Sequence, residues 1–317
     1  MKSKICTISM SDVNYLATSY SNDVDFVTIY SKCGEFYSPL FQPGNVLYST
    51  VSGELSDYIN ENHPGSTVIN SVTDVGVIKK KVWRPGLNVD VGKALDVTQG
   101  EFNKSKRELR ILIEKLKDIL LYVEPCESSM DIYGHKLREL LILTCTAVES
   151  YWLSYLKDAA PSIERPTTRD YVKLKDILLL GIYKIKFVSH PFILEFSPFD
   201  LWSQDAPTRT LPWYDAYNQT KHDSVTNFNK ADLRSCIQAI GALIIMQCVR
   251  FGPYDVLEGQ ELTAQLINEH FVIEVGNPSV ADFYVPSFQR FEMATGAFSA
   301  PLASRMNPWV VEPWSLE

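Results

Sequence analysis

From Pro212 to Asp223 the chain reads Pro-Trp-Tyr-Asp-Ala-Tyr-Asn-Gln-Thr-Lys-His-Asp. On a helix, Tyr214, Asn218 and His222 fall at i, i+4 and i+8, with Tyr217 and Lys221 flanking them. All five are therefore expected to project from one side. An imidazole is the side chain whose unperturbed pKa best suits proton transfer near neutrality. His222 is accordingly a candidate general acid or base, and Asn218 and Lys221 are candidate phosphate-binding groups. A plainer reading is a hydrogen-bonded helix end, with Lys221 and His222 favourably placed in the last turn.

Two charges interrupt a second apolar pattern. Arg138 and Glu149 are 11 residues apart, about three helical turns. Both are expected near the stripe of Leu141, Cys145 and Trp152. A charge on such a stripe is costly unless it is paired or used. The pair either fixes the bundle, lies at its wet margin, or serves a site.

Other chemistries lack their signatures. The sequence contains no phosphate-binding Gly-rich loop, dinucleotide fingerprint, nucleophile elbow or paired-His zinc motif. Asp131, Asp170, Asp200 and Asp223 are scattered, and His63, His190 and His270 fall in loops or turns. Cysteines 6, 33, 126, 145, 236 and 248 include no C-x-x-C pair. No metal site and no cofactor is expected. Cys145, Cys236 and Cys248 sit in apolar helical patterns, which suggests a reducing compartment. With no signal-like N-terminus, and an apolar run over 237–249 too short to span a bilayer, a cytoplasmic protein without membrane contact is expected.

These residues need a scaffold. The 317 residues suffice for a sizeable core. The composition, 45% hydrophobic and 21% charged, is that of a globular chain. A net charge of −8 argues against a general nucleic-acid coat. Residues 79–117 nevertheless carry 11 Lys or Arg against 5 Asp or Glu, whereas 251–317 carry 2 against 9. The basic stretch is either a solvated face or a contact for phosphates or an acidic partner.

Helical periodicity predicts helices over about 101–122, 131–157 and from Thr168 toward Leu180. Two more are expected over 212–222, with Pro near the first turn, and over 230–251, stopped by Gly252-Pro253. Trp152 and Leu141 are expected buried between them. Strands are predicted at Ile5–Ile8, Phe26–Tyr30, Val46–Val51 and Val75–Ile78, with a short helix over Glu54–Asn62. Residues 187–210 read as an irregular connection. Beyond 253 the pattern predicts a helix over 262–268, strands at 271–275 and 283–285, and an extended tail packed through Trp309 and Trp314. The expected class is α+β: a β-rich N-terminal module (1–98), a central all-helical bundle (99–252) and a mixed helix/strand C-terminal extension (253–317).

The long helix carrying Glu149, together with Asn218-x-x-x-His222, resembles the HEPN superfamily of small helical bundles, many of whose members are ribonucleases. That family's motif is an Arg, a polar residue that is often Asn, three further residues and a His. It faces an acidic residue on an earlier helix. The resemblance maps the polar residue to Asn218, the histidine to His222 and the acid to Glu149. Tyr217 stands where the motif has Arg. That departure leaves open an inactive bundle, a different activity, or an Arg supplied by Arg138 or Arg209. Segments 133–141, 167–174 and 213–223 are also similar to a group of uncharacterised bacterial proteins. The resemblance implies catalysis by His222, Asn218 and Glu149, with Lys221, Arg138 and Tyr217 binding substrate. It further implies RNA as the ligand, a site built across a homodimer, and a role in stress response or antiviral defence. The alternative is a non-catalytic helical module that binds a protein partner.

Overall fold

The computed structural model describes residues 72–284 and 309–316, apart from 75, 88–89, 190, 224, 259–260 and 277, and elsewhere the backbone of several strands. The class is mixed α+β. The chain divides into two compact units, one of residues 1–97 with 275–313 and the other of 98–274 with 314–317. The segment read from sequence as one C-terminal extension is thus shared between them.

In the first unit, backbone strands β1 (Lys4–Met10), β2 (Val13–Tyr20), β3 (Val24–Ser31), β5 (Val46–Ser49), β6 (Thr67–Asn70) and β11 (Ala297–Phe298) form a sheet in the order β11-β5-β3-β2-β1-β6. Its described pairings are antiparallel. The short β4 (Phe36–Tyr37) pairs with Val275 and Gly276. The expected helix over Glu54–Asn62 lies outside the described residues. Strands β7 (Val77–Lys79) and β12 (Val310–Glu312) pair in parallel, and a single helical turn, α1 (Val91–Ala94), precedes the second unit. Ile78, Val82, Trp83 and Leu87 are buried here. Gly86, at φ 95°, passes so close to Tyr284 that a Cβ would strike the tyrosine's backbone oxygen. Phe283 and Tyr284 were expected in a strand. They are instead buried outside any strand, and Tyr284 packs its ring against Trp309.

The second unit holds the helices. Helix α2 (Gln99–Leu120) starts where the Thr98 hydroxyl accepts the Glu101 N–H at 3.2 Å, and it buries Leu109, Leu112, Ile113, Leu116 and Ile119. Helix α3 (His135–Ala159) buries Leu137, Leu140, Leu141, Cys145, Val148 and Trp152. The long helix expected after Thr168 breaks into two turns, α4 (Thr168–Tyr171) and α5 (Leu174–Ile177), and a further 3-10 turn at Leu180–Ile182. Leu179 adopts a left-handed φ of 51°, which ends helical propagation. Residues 187–210 are not wholly irregular. They contain most of an antiparallel hairpin, β8 (Tyr183–Ser189) with β9 (Phe192–Phe196), and β8 also neighbours β10 (Phe271–Gly276).

Helix α6 (Pro212–His222) begins with Pro in its first turn, and α7 (Leu233–Phe251) is capped by Asp232, whose carboxylate accepts the Ser235 N–H at 2.7 Å. Helix α7 packs on α2, α3, α6 and β8. It is the one described helix long and apolar enough to cross a membrane, contrary to the shorter run read from sequence, and 89% of that window is buried inside the protein. Two of its polar side chains bond to helix α2. Gln247 donates to the Ser105 carbonyl at 2.9 Å, and Arg250 grips the Glu101 carboxylate through two bonds of 2.8 and 2.7 Å. At Gly241 the hairpin approaches so closely that a Cβ would meet Ile185 and Phe196 at 2.8 Å. Two short helices, α8 (Pro253–Leu257) and α9 (Leu262–His270), complete the unit.

Candidate functional site

Helices α3 and α6 carry the candidate residues and lie antiparallel. Glu149, late in α3, meets Tyr214 in the first turn of α6, whereas Arg138, early in α3, meets Thr220 near the end of α6. Trp152 anchors the α3 side of this pairing. It is fully buried, with its ring 4.9 Å from Trp202 and 5.2 Å from Tyr214.

The half-buried Glu149 carboxylate is the centre of the polar contacts. Its Oε1 accepts the Tyr214 hydroxyl at 2.5 Å, and its Oε2 accepts the Tyr217 hydroxyl at 3.3 Å. Lys221 then donates from Nζ to the Tyr217 hydroxyl at 2.8 Å. Carboxylate, phenol and ammonium form one chain, so the negative charge of Glu149 faces the positive charge of Lys221 across a tyrosine hydroxyl. Burial, followed by the bond to Glu149 and its charge, pushes the Tyr214 phenol far above the ordinary tyrosine range. The hydrogen bond to Tyr217, with help from the charge of Glu149, raises the Lys221 ammonium above its usual value. Asn218 donates from Nδ2 to the Tyr214 carbonyl at 3.0 Å.

His222 is not part of this chain. It is exposed at the end of α6 and makes no hydrogen bond or ion pair among the described residues. The single face expected for all five residues therefore divides. Tyr214, Tyr217, Asn218 and Lys221 gather around Glu149, and His222 turns to solvent beside them. The cause is helical drift, since eight residues overshoot two turns by about 80°.

Arg138 does not pair with Glu149. It reaches the carbonyl of Thr220 at 3.4 Å, and its Nε is buried with no partner. This guanidinium therefore lies at the same end of α6 as Lys221 and His222. Arg209 is exposed in the connection before α6. Asp223 accepts the N–H groups of Val225 and Thr226 at 3.1 and 3.0 Å, which hold its carboxyl below the usual range and shape the turn after the helix. Sequence reading placed Tyr214 in the stripe but gave it no role, although it makes the shortest bond to Glu149. Among the described residues, no three His, Cys, Asp or Glu side chains gather as metal ligands would. Comparison with known protein families, curated proteins and solved structures finds no match to the chain.

Proposed function

We propose that the helical unit is a HEPN-like bundle that cleaves RNA without a metal ion at the C-terminal end of α6. The observation that carries this reading is the Glu149–Tyr217–Lys221 chain ending beside an exposed imidazole. The resemblance calls for an Arg at 217, facing the acid of the earlier helix. Here the Tyr217 hydroxyl donates to Glu149 from that position, and Lys221, one turn on, supplies the positive charge.

In this reading His222 removes the proton from a ribose 2′-hydroxyl or protonates the 5′ oxygen as it leaves, and water takes or gives the other proton. The 2′ oxygen bonds to phosphorus, the bond from phosphorus to the 5′ oxygen breaks, and a 2′,3′-cyclic phosphate and a 5′-hydroxyl result. Lys221, Arg138 and Asn218 hold the phosphate, Glu149 and Tyr217 position Lys221, and no cofactor takes part. By the same resemblance the protein acts in stress response or antiviral defence as a homodimer that completes the site, and its buried free cysteines fit a cytoplasmic setting.

The test is an assay on RNA with the full chain. Cleavage should persist in EDTA, and His222→Ala should lower its rate by about 10² or more while leaving the fold intact. Lys221→Ala should weaken substrate binding and flatten its salt dependence by about one phosphate contact. A second reading, a non-catalytic module that binds a protein partner, is favoured by one observation: both Glu149 oxygens are taken by tyrosines and none of the described residues orients His222. A folded protein without His222-dependent cleavage would establish that reading instead. Cleavage that requires Mg²⁺ would overturn the assignment of His222 altogether.

A further inference from the structure

Beside the end of α6 lies a group of aromatic rings that the proposed chemistry does not use. Phe228 follows the turn after α6. Tyr133 meets its ring edge-on at 5.7 Å, and the His135 ring lies 4.8 Å from it. Tyr133 is 52% exposed, His135 is exposed and Phe228 is half-buried. These rings do not serve the core, where aromatic residues such as Trp152, Trp213 and Phe199 are fully enclosed.

Their place is fixed relative to the basic groups. His135 precedes Arg138 by one turn of α3, and Arg138 reaches the Thr220 carbonyl. The Thr220 hydroxyl approaches the carbonyl of Asn227, the residue before Phe228. The backbone of Tyr133 bridges that of Asp232, which fixes the residue beside the start of α7. Nearby carboxylates are mostly committed. Asp118 takes Lys136, Glu127 takes Arg234, Glu139 takes Lys115 and Asp223 caps its own turn. His135, Arg138, Lys221, His222 and Lys230 make no direct ion pair among the described residues. Exposed rings beside basic groups that make no direct ion pair match the two parts of an unpaired nucleotide, its base face and its phosphate.

We infer that Tyr133, His135 and Phe228 form a stacking platform for unpaired bases, so that the RNA bound beside Lys221 and His222 is single-stranded. This deepens the RNA reading above and rests on it. A duplex keeps its bases stacked on each other and offers the rings nothing, whereas a single strand can lay a base on Tyr133 while its phosphate meets Lys221 or Arg138.

The experiment uses the full chain carrying His222→Ala, so that binding is read without turnover, and a labelled single-stranded RNA of about 12 nucleotides. The single strand should bind more tightly than the same RNA annealed to its complement. Tyr133→Ala should weaken binding roughly tenfold, Tyr133→Phe should not, and the salt slope should stay unchanged because no phosphate contact is lost. Placing an abasic site at successive positions should reveal one at which Tyr133→Ala no longer matters. Circular dichroism checks folding, and Tyr133 decides the outcome should Phe228→Ala prove unstable. Equal affinity for duplex and single strand, or a Tyr133→Ala variant that binds as the parent does, would overturn the platform. Absence of any RNA binding would overturn both this inference and the function it rests on. Tyr133-dependent binding by a wild-type chain that does not cleave would overturn the enzymatic reading alone.

Discussion

The bond between Tyr214 and Glu149 can be measured by a double-mutant cycle. Tyr214 is 3% exposed and donates to the carboxylate at 2.5 Å. A hydrogen bond to a charged group contributes about 1.5–3 kcal/mol and a neutral one about 0.5–1.5. Glu149→Gln keeps the shape and an acceptor oxygen but removes the charge, and its amide turns a second donor toward Tyr217. It should cost about 1–2 kcal/mol. Tyr214→Phe removes the donor and leaves one oxygen of a half-buried carboxylate to water, at a cost of about 1.5–2.5 kcal/mol. The double variant loses the contact only once, so its cost should fall short of the sum by about 1 kcal/mol. The readout is urea unfolding followed by far-ultraviolet circular dichroism. Tyr217→Phe, whose bond to Glu149 is 3.3 Å, should cost less than Tyr214→Phe. Costs that add to within about 0.3 kcal/mol would refute the reasoning, because the short contact would then carry no energy of its own.

Two further outcomes follow from the same interior. Trp152→Ala removes a fully buried ring that touches Trp202, Trp213 and Tyr214, and should cost about 3–5 kcal/mol by cavity formation, with a loss below about 1 kcal/mol refuting the packing. Tyr214 and Lys221 both titrate above their ordinary values of 10.0 and 10.5, so the stability they contribute is complete below those values and is lost as pH rises toward the folded-state ones. The melting temperature of the wild type should therefore fall above about pH 10 more steeply than that of Tyr214→Phe. Parallel profiles would mean that Tyr214 is not the group responsible.

Much of the helical unit is written in apolar spacing. Helices α2, α3, α6 and α7 begin and end within a few residues of where periodicity, Pro212 and Gly252-Pro253 put them. The hairpin of β8 and β9 was read as irregular because Pro191 and clustered aromatics suggested a loop. Its first strand nevertheless alternates, with Tyr183, Ile185 and Phe187 buried and Lys184 and Lys186 more exposed between them. That period of two was the available signal. The break at Leu179 carries no such mark, since no glycine or asparagine announces the left-handed residue. The division of residues beyond 253 was also hidden. Pairing of β12 with β7, more than 200 residues earlier, is a long-range contact that local pattern does not report.

The site itself was legible by residue type but not by angle. At 100° per residue, and taking Tyr214 as zero, Tyr217 lies at about −60°, Lys221 at about −20°, Asn218 at about +40° and His222 at about +80°. The Glu149 carboxylate faces the sector between Tyr214 and Tyr217, so Lys221 falls inside the network and His222 falls past its edge. Counting i, i+4, i+8 treats each step as a whole turn and hides an error of about 40° per step. The correction changes the chemistry. A histidine inside the network would be held by Glu149, as an orienting acid holds a general base. A histidine past its edge faces outward, where its own bundle supplies Arg138 at the helix end but no acid to hold the ring. On the proposed reading, no acid among the described residues orients His222, and the substrate or a second copy of the chain is one source of such a group. If the protein cleaves RNA as proposed, the rate per chain should depend on protein concentration where a second copy supplies the group, and on substrate alone where the RNA does. A turnover rate per chain that stays constant across dilution would exclude the second copy as the source of that group.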